Sequence, residues 1–492
     1  MFVDLQGILL TEAPMFVGRK NELNTLDSLR KKESASLVCV LGRRRIGKST
    51  LIEEFGKSFK SFFTVQGLAP GPGITAAHQL EHFSKRLAQQ FKKEPILFSN
   101  WQEAFSKLAS YTKKGETLLF LDEISWMGKG DPTFASCLKE VWDLEFKKNP
   151  KLILVVCGSV STWIEDNILK NMSFEGRISL EINLQELALP EINQLLTRKH
   201  FQASSFEKMF LLSVTGGVPK YLEEVLPSET AEKNLIRLCF SESGILFNDY
   251  SKIFTDIFER RASSLETIVR KCIAEKFSPQ ELAQALHKTQ DGELSTNLRI
   301  LELSGFLCRD YYYKPDGSQS KLSHLRVKDN YVAFYLRHIE PVRKHIMQKS
   351  KIIKSYRDIK NIEAIFGYQF ENLILANRNL LFPLLGLETH EIAFAAPYKQ
   401  NKTNTNKGAC QVDLLIANHF DTFFVCEFKC KRVIDKTIIA EVQKKCEIIK
   451  LPRRSSTRPV LVYEGELYPP HADEIQDYFF RVIHFSQLLN AK

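Results

Sequence analysis

Residues 42 to 49, Gly-Arg-Arg-Arg-Ile-Gly-Lys-Ser, fit G-x-x-x-x-G-K-[ST], and Thr50 follows directly. The pattern points to a polyphosphate. Backbone N–H groups of the glycine-bounded loop and the positive end of the next helix wrap phosphate oxygens. Lys48 would reach the β- and γ-phosphates, Ser49 would bind Mg2+, and Thr50 would line the phosphates. Gly42, Arg43, Arg44, Arg45, Ile46 and Gly47 supply the loop itself. An apolar run, Leu37–Leu41, precedes the loop, and a helical pattern from Leu51 follows it, so the motif stands in the strand–loop–helix setting that gives it meaning.

A second chemical landmark is Thr117–Met127, TLLFLDEISWM. A continuous apolar run ending in two carboxylates reads as a buried parallel strand whose C-terminal end opens on a ligand crevice. Asp122 would hold Mg2+, and Glu123 would orient the attacking water or take its proton. A third such run, Lys151–Ser159, ends in Gly158-Ser159. Ser159 would face the γ-phosphate if that strand lies beside the others; capping a helix is its alternative role. Arg177, in the loop before the strand-like Ile178–Ile182, is a candidate for stabilising transferring charge.

A separate constellation lies near the end of the chain. Gln411–Ile416 and Thr422–Lys429, TFFVCEFK, read as two strands of a hairpin. Alternation places Glu427 and Lys429 on one face and Phe428 on the other, and the hairpin would bring Asp413 beside that face. Two carboxylates and a lysine at one sheet edge can bind a divalent metal and position a water for phosphodiester hydrolysis. Glu371 and Gln443, on helical patterns, are accessory candidates. Cysteines 410, 426, 430 and 446 share the region, but their spacing fits no zinc or iron–sulfur pattern.

These residues need a scaffold, and 492 of them suggest about three domains. A composition of 44% hydrophobic and 26% charged residues is that of an ordinary globular chain, and the net charge of +10 permits an acidic partner without demanding one. Ten scattered cysteines without C-x-x-C argue for reduced thiols and a cytoplasmic setting. The first fourteen residues lack the basic n-region of a signal peptide, and no apolar run is long enough to span a bilayer.

Between the two constellations the pattern is helical. Residues 51–110 alternate helical stretches and loops, and Gly216-Gly217-Val218-Pro219 breaks a helical region from Leu184 to about Glu259. Residues 264–328 then show an apolar helix face, a Ser278-Pro279-Gln280-Glu281 capping box, a third helix from Ser295 and two strands around Pro315-Asp316-Gly317. That is the order of a winged helix-turn-helix. On DNA its groove contacts would be Thr296, Asn297 and Arg299, with Arg309 and Lys314 on phosphate; packing against the nucleotide-binding core is the alternative. Residues 337–360 hold eight basic and two acidic residues, an exposed connection that could contact phosphate.

Taken together, these motifs resemble the archaeal-type P-loop ATPases of the STAND/AAA+ grouping that end in a PD-(D/E)XK nuclease-like domain. The likeness runs from Phe16 to about Val482 and includes Gly18-Arg19-Lys20-Asn21-Glu22-Leu23, the arginine-filled loop, LLFLDE and Cys157-Gly158-Ser159. It implies an α/β fold: a P-loop core over 1–183, a helical lid over 184–259, a winged helix over 260–340, a basic linker over 341–362 and a restriction-endonuclease-like domain over 363–492. It implies ATP and Mg2+ as cofactors, DNA as a partner and Pro219 at the adenine pocket. The nuclease motif carries over as Asp413 with Glu427-Phe428-Lys429, although Val412 stands where that motif has proline. Regulation by binding alone, without cleavage, is the alternative activity.

Overall fold

The apolar runs that lead into the phosphate loop and the acidic pair become strands of one parallel sheet. The computed structural model describes residues 16–491 apart from 72, 160, 161, 173, 259, 260, 290, 291, 314–316 and 401–407. Strands β1 (Ser36–Leu41), β2 (Ser61–Gln66), β3 (Thr117–Asp122), β4 (Leu152–Cys157) and β5 (Ile178–Asn183) lie in the order β2-β3-β4-β1-β5. Every pairing among them is parallel. In β1, β3 and β4 every residue is buried, as a sheet covered on both faces requires. Alternate side chains feed two cores. Val38, Val40, Leu118 and Phe120 join one, while Cys39, Leu41, Leu119 and Leu121 join the other. All ten cysteines are free thiols.

Strand β2 lies inside the stretch read from sequence as helices and loops. It is an edge strand paired only with β3, its first four residues are half-buried, and so it lacks the apolar run that marks β1, β3 and β4.

Helices follow from Leu189 to Phe258, with Gly216 at φ +55 making the turn before Pro219 starts a short helix. Three more helices, Ala262–Ala274, Pro279–Ala285 and Gly292–Leu303, precede an antiparallel pair, β6 (Leu307–Tyr313) and β7 (Gln319–Val327). The capping box forms: Ser278 N–H donates to Glu281 Oε2 at 2.7 Å, and Glu281 N–H donates to Ser278 Oγ at 3.2 Å. Of the expected groove contacts on the third helix, Thr296 is half-buried and Arg299 is exposed. Asn297 is buried, and Arg299 Nε pairs with Glu165 Oε1 of the parallel-sheet region at 2.9 Å. Arg309 Nε donates to Glu302 at 2.9 Å, and Lys314 lies outside the described residues. One of the groove candidates is thus buried, and another is paired to the parallel-sheet region.

The basic stretch expected to be an exposed connection is also packed. Helix Glu340–Met347 buries Ile346, and the chain beyond it buries Ile353 and Ile359. Ser355 Oγ and Tyr356 N–H both donate to Glu232 Oε1, at 2.7 and 2.9 Å. Isoleucines at intervals anchor the segment while most of its lysines stay in water.

The last region holds a mixed sheet of β8 (Ile392–Gln400), β9 (Cys410–Asn418), β10 (Thr422–Ile434), β11 (Ser456–Leu467) and β12 (Arg481–His484), in the order β12-β11-β10-β9-β8. β8–β9 and β9–β10 pair antiparallel; β10–β11 and β11–β12 pair parallel. No described helix is long and apolar enough to cross a membrane.

Candidate nucleotide site and C-terminal acidic site

β1 hands the chain to the phosphate loop through Gly42, at φ +147, where a Cβ would lie 2.7 Å from the Leu184 carbonyl. Gly47, at φ +89, caps helix Lys48–Gly56. Only glycine adopts such backbone without strain. Lys48, 6% exposed, donates from Nζ to the carbonyls of Gly42 and Arg43 at 3.2 and 3.0 Å and to Ser159 Oγ at 3.3 Å. Ser49 Oγ donates to Asp122 Oδ2 at 2.9 Å. Pro219 reaches the same loop, its Cγ 3.8 Å from where a Cβ on Gly47 would stand. Thr50, one residue further into the helix, is half-buried.

Asp122 and Glu123 stand at the C-terminal end of β3. Burial pushes both carboxyls above their ordinary values, opposed at Asp122 by hydrogen bonds from Ser49 and Cys157 and at Glu123 by the charge of Lys48. Arg44 and the Ser159 backbone also act on Glu123. Glu123 holds φ +50, a left-handed conformation costly for a residue with a Cβ and typical of functional turns. A hydroxyl and a carboxylate in contact suit a hard divalent cation, which takes oxygen donors and keeps several waters.

The loop arginines hold partners within the chain. The Arg43 guanidinium, 4% exposed, pairs with Asp329 and with Glu186 Oε1 at 3.3 Å. Arg45 Nη2 pairs with Asp249 Oδ1 at 2.6 Å, and Tyr221 donates to the other oxygen of Asp249 at 2.7 Å. These side chains therefore anchor the loop; what remains for phosphate is their backbone N–H groups. Arg177 is a correction of a different kind. In the parallel register Leu37 pairs with Ile178, so Arg177 stands at the start of the sheet, roughly 17 Å along the strand from the loop. Its guanidinium grips Asp143, with Nε 3.0 Å from Oδ2 and Nη2 2.9 Å from Oδ2, and holds that carboxyl down at about 2. It cannot serve the nucleotide of its own chain.

Sequence reading missed Arg19 as a loop anchor. Its Nη2 donates to the Ile46 carbonyl at 3.1 Å. The Gly-Arg-x-x-Glu-Leu spacing carried the signal, without saying what the arginine would hold.

The second constellation assembles at β9, β10 and helix Thr437–Ile448. Asp413 Oδ2 accepts the Phe428 N–H at 2.8 Å. Glu427, 3% exposed, accepts Lys429 Nζ at 2.8 Å and Lys445 Nζ at 2.5 Å. Burial, then the Glu427 and Glu371 charges, push the Asp413 carboxyl up to about 7. The charge of Glu371, on helix Ile362–Ala376, acts on Asp413, while its Oε1 lies 3.3 Å from Lys276 Nζ. Gln443 does not join: it is exposed and donates to Glu447 at 3.1 Å. Glu441 and Lys445, on the neighbouring face of that helix, take the place expected of it. Among the described residues no three or more His, Cys, Asp or Glu side chains converge as metal ligands.

Residues 16–225 match a family model described as an ATPase domain predominantly from Archaea. An uncharacterized protein of Methanocaldococcus jannaschii, MJECL04, is 24% identical over 372 residues, covering 73% of this chain and 76% of that protein. The uncharacterized ATP-binding protein MJ0423 of the same organism is 46% identical over 41 residues, 8% of this chain and 70% of its own. Among solved structures, the Walker-type ATPase PABY2304 of Pyrococcus abyssi aligns with a TM-score of 0.48 at 17% identity, over 65% of this chain and 96% of its own. The part of the chain that holds the phosphate loop, Asp122 and Glu123 is thus similar to an archaeal-type ATPase domain.

Proposed function

We propose that the chain is an ATP-hydrolysing switch whose nucleotide state sets the arrangement of the helical, winged-helix and C-terminal regions. One contact carries the reading. Ser49 and Asp122, on different elements, meet at 2.9 Å with Lys48 and Ser159 alongside. Loop N–H groups and Lys48 bind and orient the triphosphate. Glu123, raised by burial and steadied by the Ser159 backbone, holds the proton of the attacking water. Ser49 and Asp122 would hold Mg2+, which supplies charge neutralisation on the phosphates. Pro219 closes the loop from the lid side and supports the adenine pocket.

ATP turnover with Mg2+ tests this. Lys48→Ala should abolish nucleotide binding, and Glu123→Gln should keep binding while slowing hydrolysis at least 100-fold. Turnover in Glu123→Gln equal to the parent would remove Glu123 from its role.

The C-terminal region we assign to the PD-(D/E)XK class, with Asp413 and Glu427 as the pair that would hold a divalent cation and Lys429 as the group that orients a water. The strand order, with two antiparallel hairpin pairings followed by two parallel ones, supports it. Two carboxylates suffice for a cation that keeps its waters. The bound ion would supply Lewis acidity at the phosphodiester. Plasmid nicking by the full chain, absent in Asp413→Ala, is the test.

A second reading has DNA or a protein bound without cleavage. The lysine partners of Glu427 and the Arg299–Glu165 pair favour it, because both constellations are satisfied within the chain. Salt-dependent DNA binding without nicking would establish it.

A further inference from the structure

Glu427 and Glu441 share the same two lysines. Lys429 Nζ lies 2.8 Å from Glu427 Oε1 and 3.0 Å from Glu441 Oε1. Lys445 Nζ lies 2.5 Å from Glu427 Oε2 and 3.5 Å from Glu441 Oε1. The four side chains close into a ring of alternating charge. The two lysines are not equivalent within it. Lys445 sits on Glu427 Oε2, and its charge also lowers the Asp413 carboxyl. A cation bound to Glu427 Oε2 would have to displace that ammonium.

The local fold explains how a lysine comes to be there. On helix Thr437–Ile448, Ile438 and Val442 are buried against the sheet. Glu441 and Lys445, four residues apart, share the flank that meets Glu427 and Lys429 on β10. Lysine is a compact charge on a flexible stem with three donors. Turning that stem moves the ammonium from Glu427 onto Glu441, only 3.5 Å away, without leaving either lysine unpaired. A buried carboxylate without a counter-charge is strongly disfavoured, so an ammonium in this place keeps the fold neutral and makes a metal its competitor.

We propose that Lys445 gates the C-terminal cation site: its ammonium occupies Glu427 at rest, and a divalent cation enters as Lys445 swings onto Glu441. This rests on the metal-site reading of Asp413 and Glu427 given above. Lys429 keeps its place on the other oxygen of Glu427 throughout.

Mn2+ binding to the full-length, nucleotide-free protein, followed by loss of the free-ion paramagnetic resonance signal, separates the two claims. Lys445→Met should tighten Mn2+ binding about 10-fold or more, a change of about 1.4 kcal/mol. Lys445→Gln, which keeps a polar group on the flank, should tighten it too, and Lys445→Arg should stay at or below the parent. Asp413→Ala should remove binding in every background. Unchanged or weaker Mn2+ affinity in both Lys445→Met and Lys445→Gln overturns the gate and leaves the acidic-pair site standing. Absence of Mn2+ binding in the parent and both neutral variants overturns the gate together with the metal-site reading.

Discussion

Arg43 in the phosphate loop and Asp329 at the end of the β6–β7 hairpin, 286 residues apart in sequence, form a buried ion pair. Asp329 also accepts the Val332 N–H at 2.9 Å, capping helix Asn330–Phe334. The neighbouring Asn330 is tied to helix Ile362–Ala376: Gln369 Nε2 donates to its carbonyl at 2.9 Å and Asn372 Nδ2 to its Oδ1 at 3.3 Å. That same helix carries Glu371, whose charge acts on Asp413. Polar contacts thus tie the phosphate loop to the helix that carries Glu371.

Asp329→Ala should leave Arg43 buried without its partner and cost about 3–5 kcal/mol of stability, read from the urea midpoint. Arg43→Met with Asp329→Asn should lose clearly less than the sum of the single changes, because both members of the pair are gone. Additive losses would mean that the pair carries no coupling.

The Arg177–Asp143 pair belongs to the acid limb of the stability curve. Arg177 depresses the Asp143 carboxyl to about 2, so its contribution is complete above the ordinary carboxylate value near 3.8 and is lost as pH falls through 2. Arg177→Met should weaken the protein at neutral pH and flatten this acid limb, while a single chain's ATP hydrolysis stays unchanged. A large loss of turnover in a dilute, monomeric preparation would return Arg177 to the nucleotide.

Glu464 acts in the opposite direction. It lies at the contact of β11 with helix Ser205–Thr215, accepts Ser205 Oγ at 3.2 Å, and burial pushes its carboxyl up to about 7. An acid with a raised folded pKa stabilises below its unfolded value, near 4.5, and that contribution is lost as pH climbs through 7. Melting temperature should therefore decline between pH 5 and 7.5, and Glu464→Gln should remove much of that slope. An unchanged slope in the variant would place the proton elsewhere.

The two constellations were legible in the sequence because their residues are local. Gly42–Thr50 and Asp122-Glu123 each lie in one short stretch, and continuous apolar runs announced β1, β3 and β4. Edge and proline-bearing strands were not legible. β2 shows no clean alternation, β8 carries Pro397 at a register shift, and Pro459 interrupts β11 just before its pairing with β12 begins. Proline in an otherwise extended run argues against a strand unless edge or bulge is known. Partner choice for arginine was equally hidden. Nothing near Arg43, Arg45 or Arg299 in sequence names Asp329, Asp249 or Glu165, because such pairs depend on tertiary placement. The same holds for Lys445, whose meaning comes only from the strand it meets.

Calorimetric titration of ATP with Mg2+ into the full chain, set beside Lys48→Ala and Asp122→Ala, reaches the central claim most directly. One site per chain is expected in the parent, lost in Lys48→Ala and stripped of its Mg2+ dependence in Asp122→Ala. Equal, Mg2+-independent binding in all three proteins would contradict the pocket and the switch built on it.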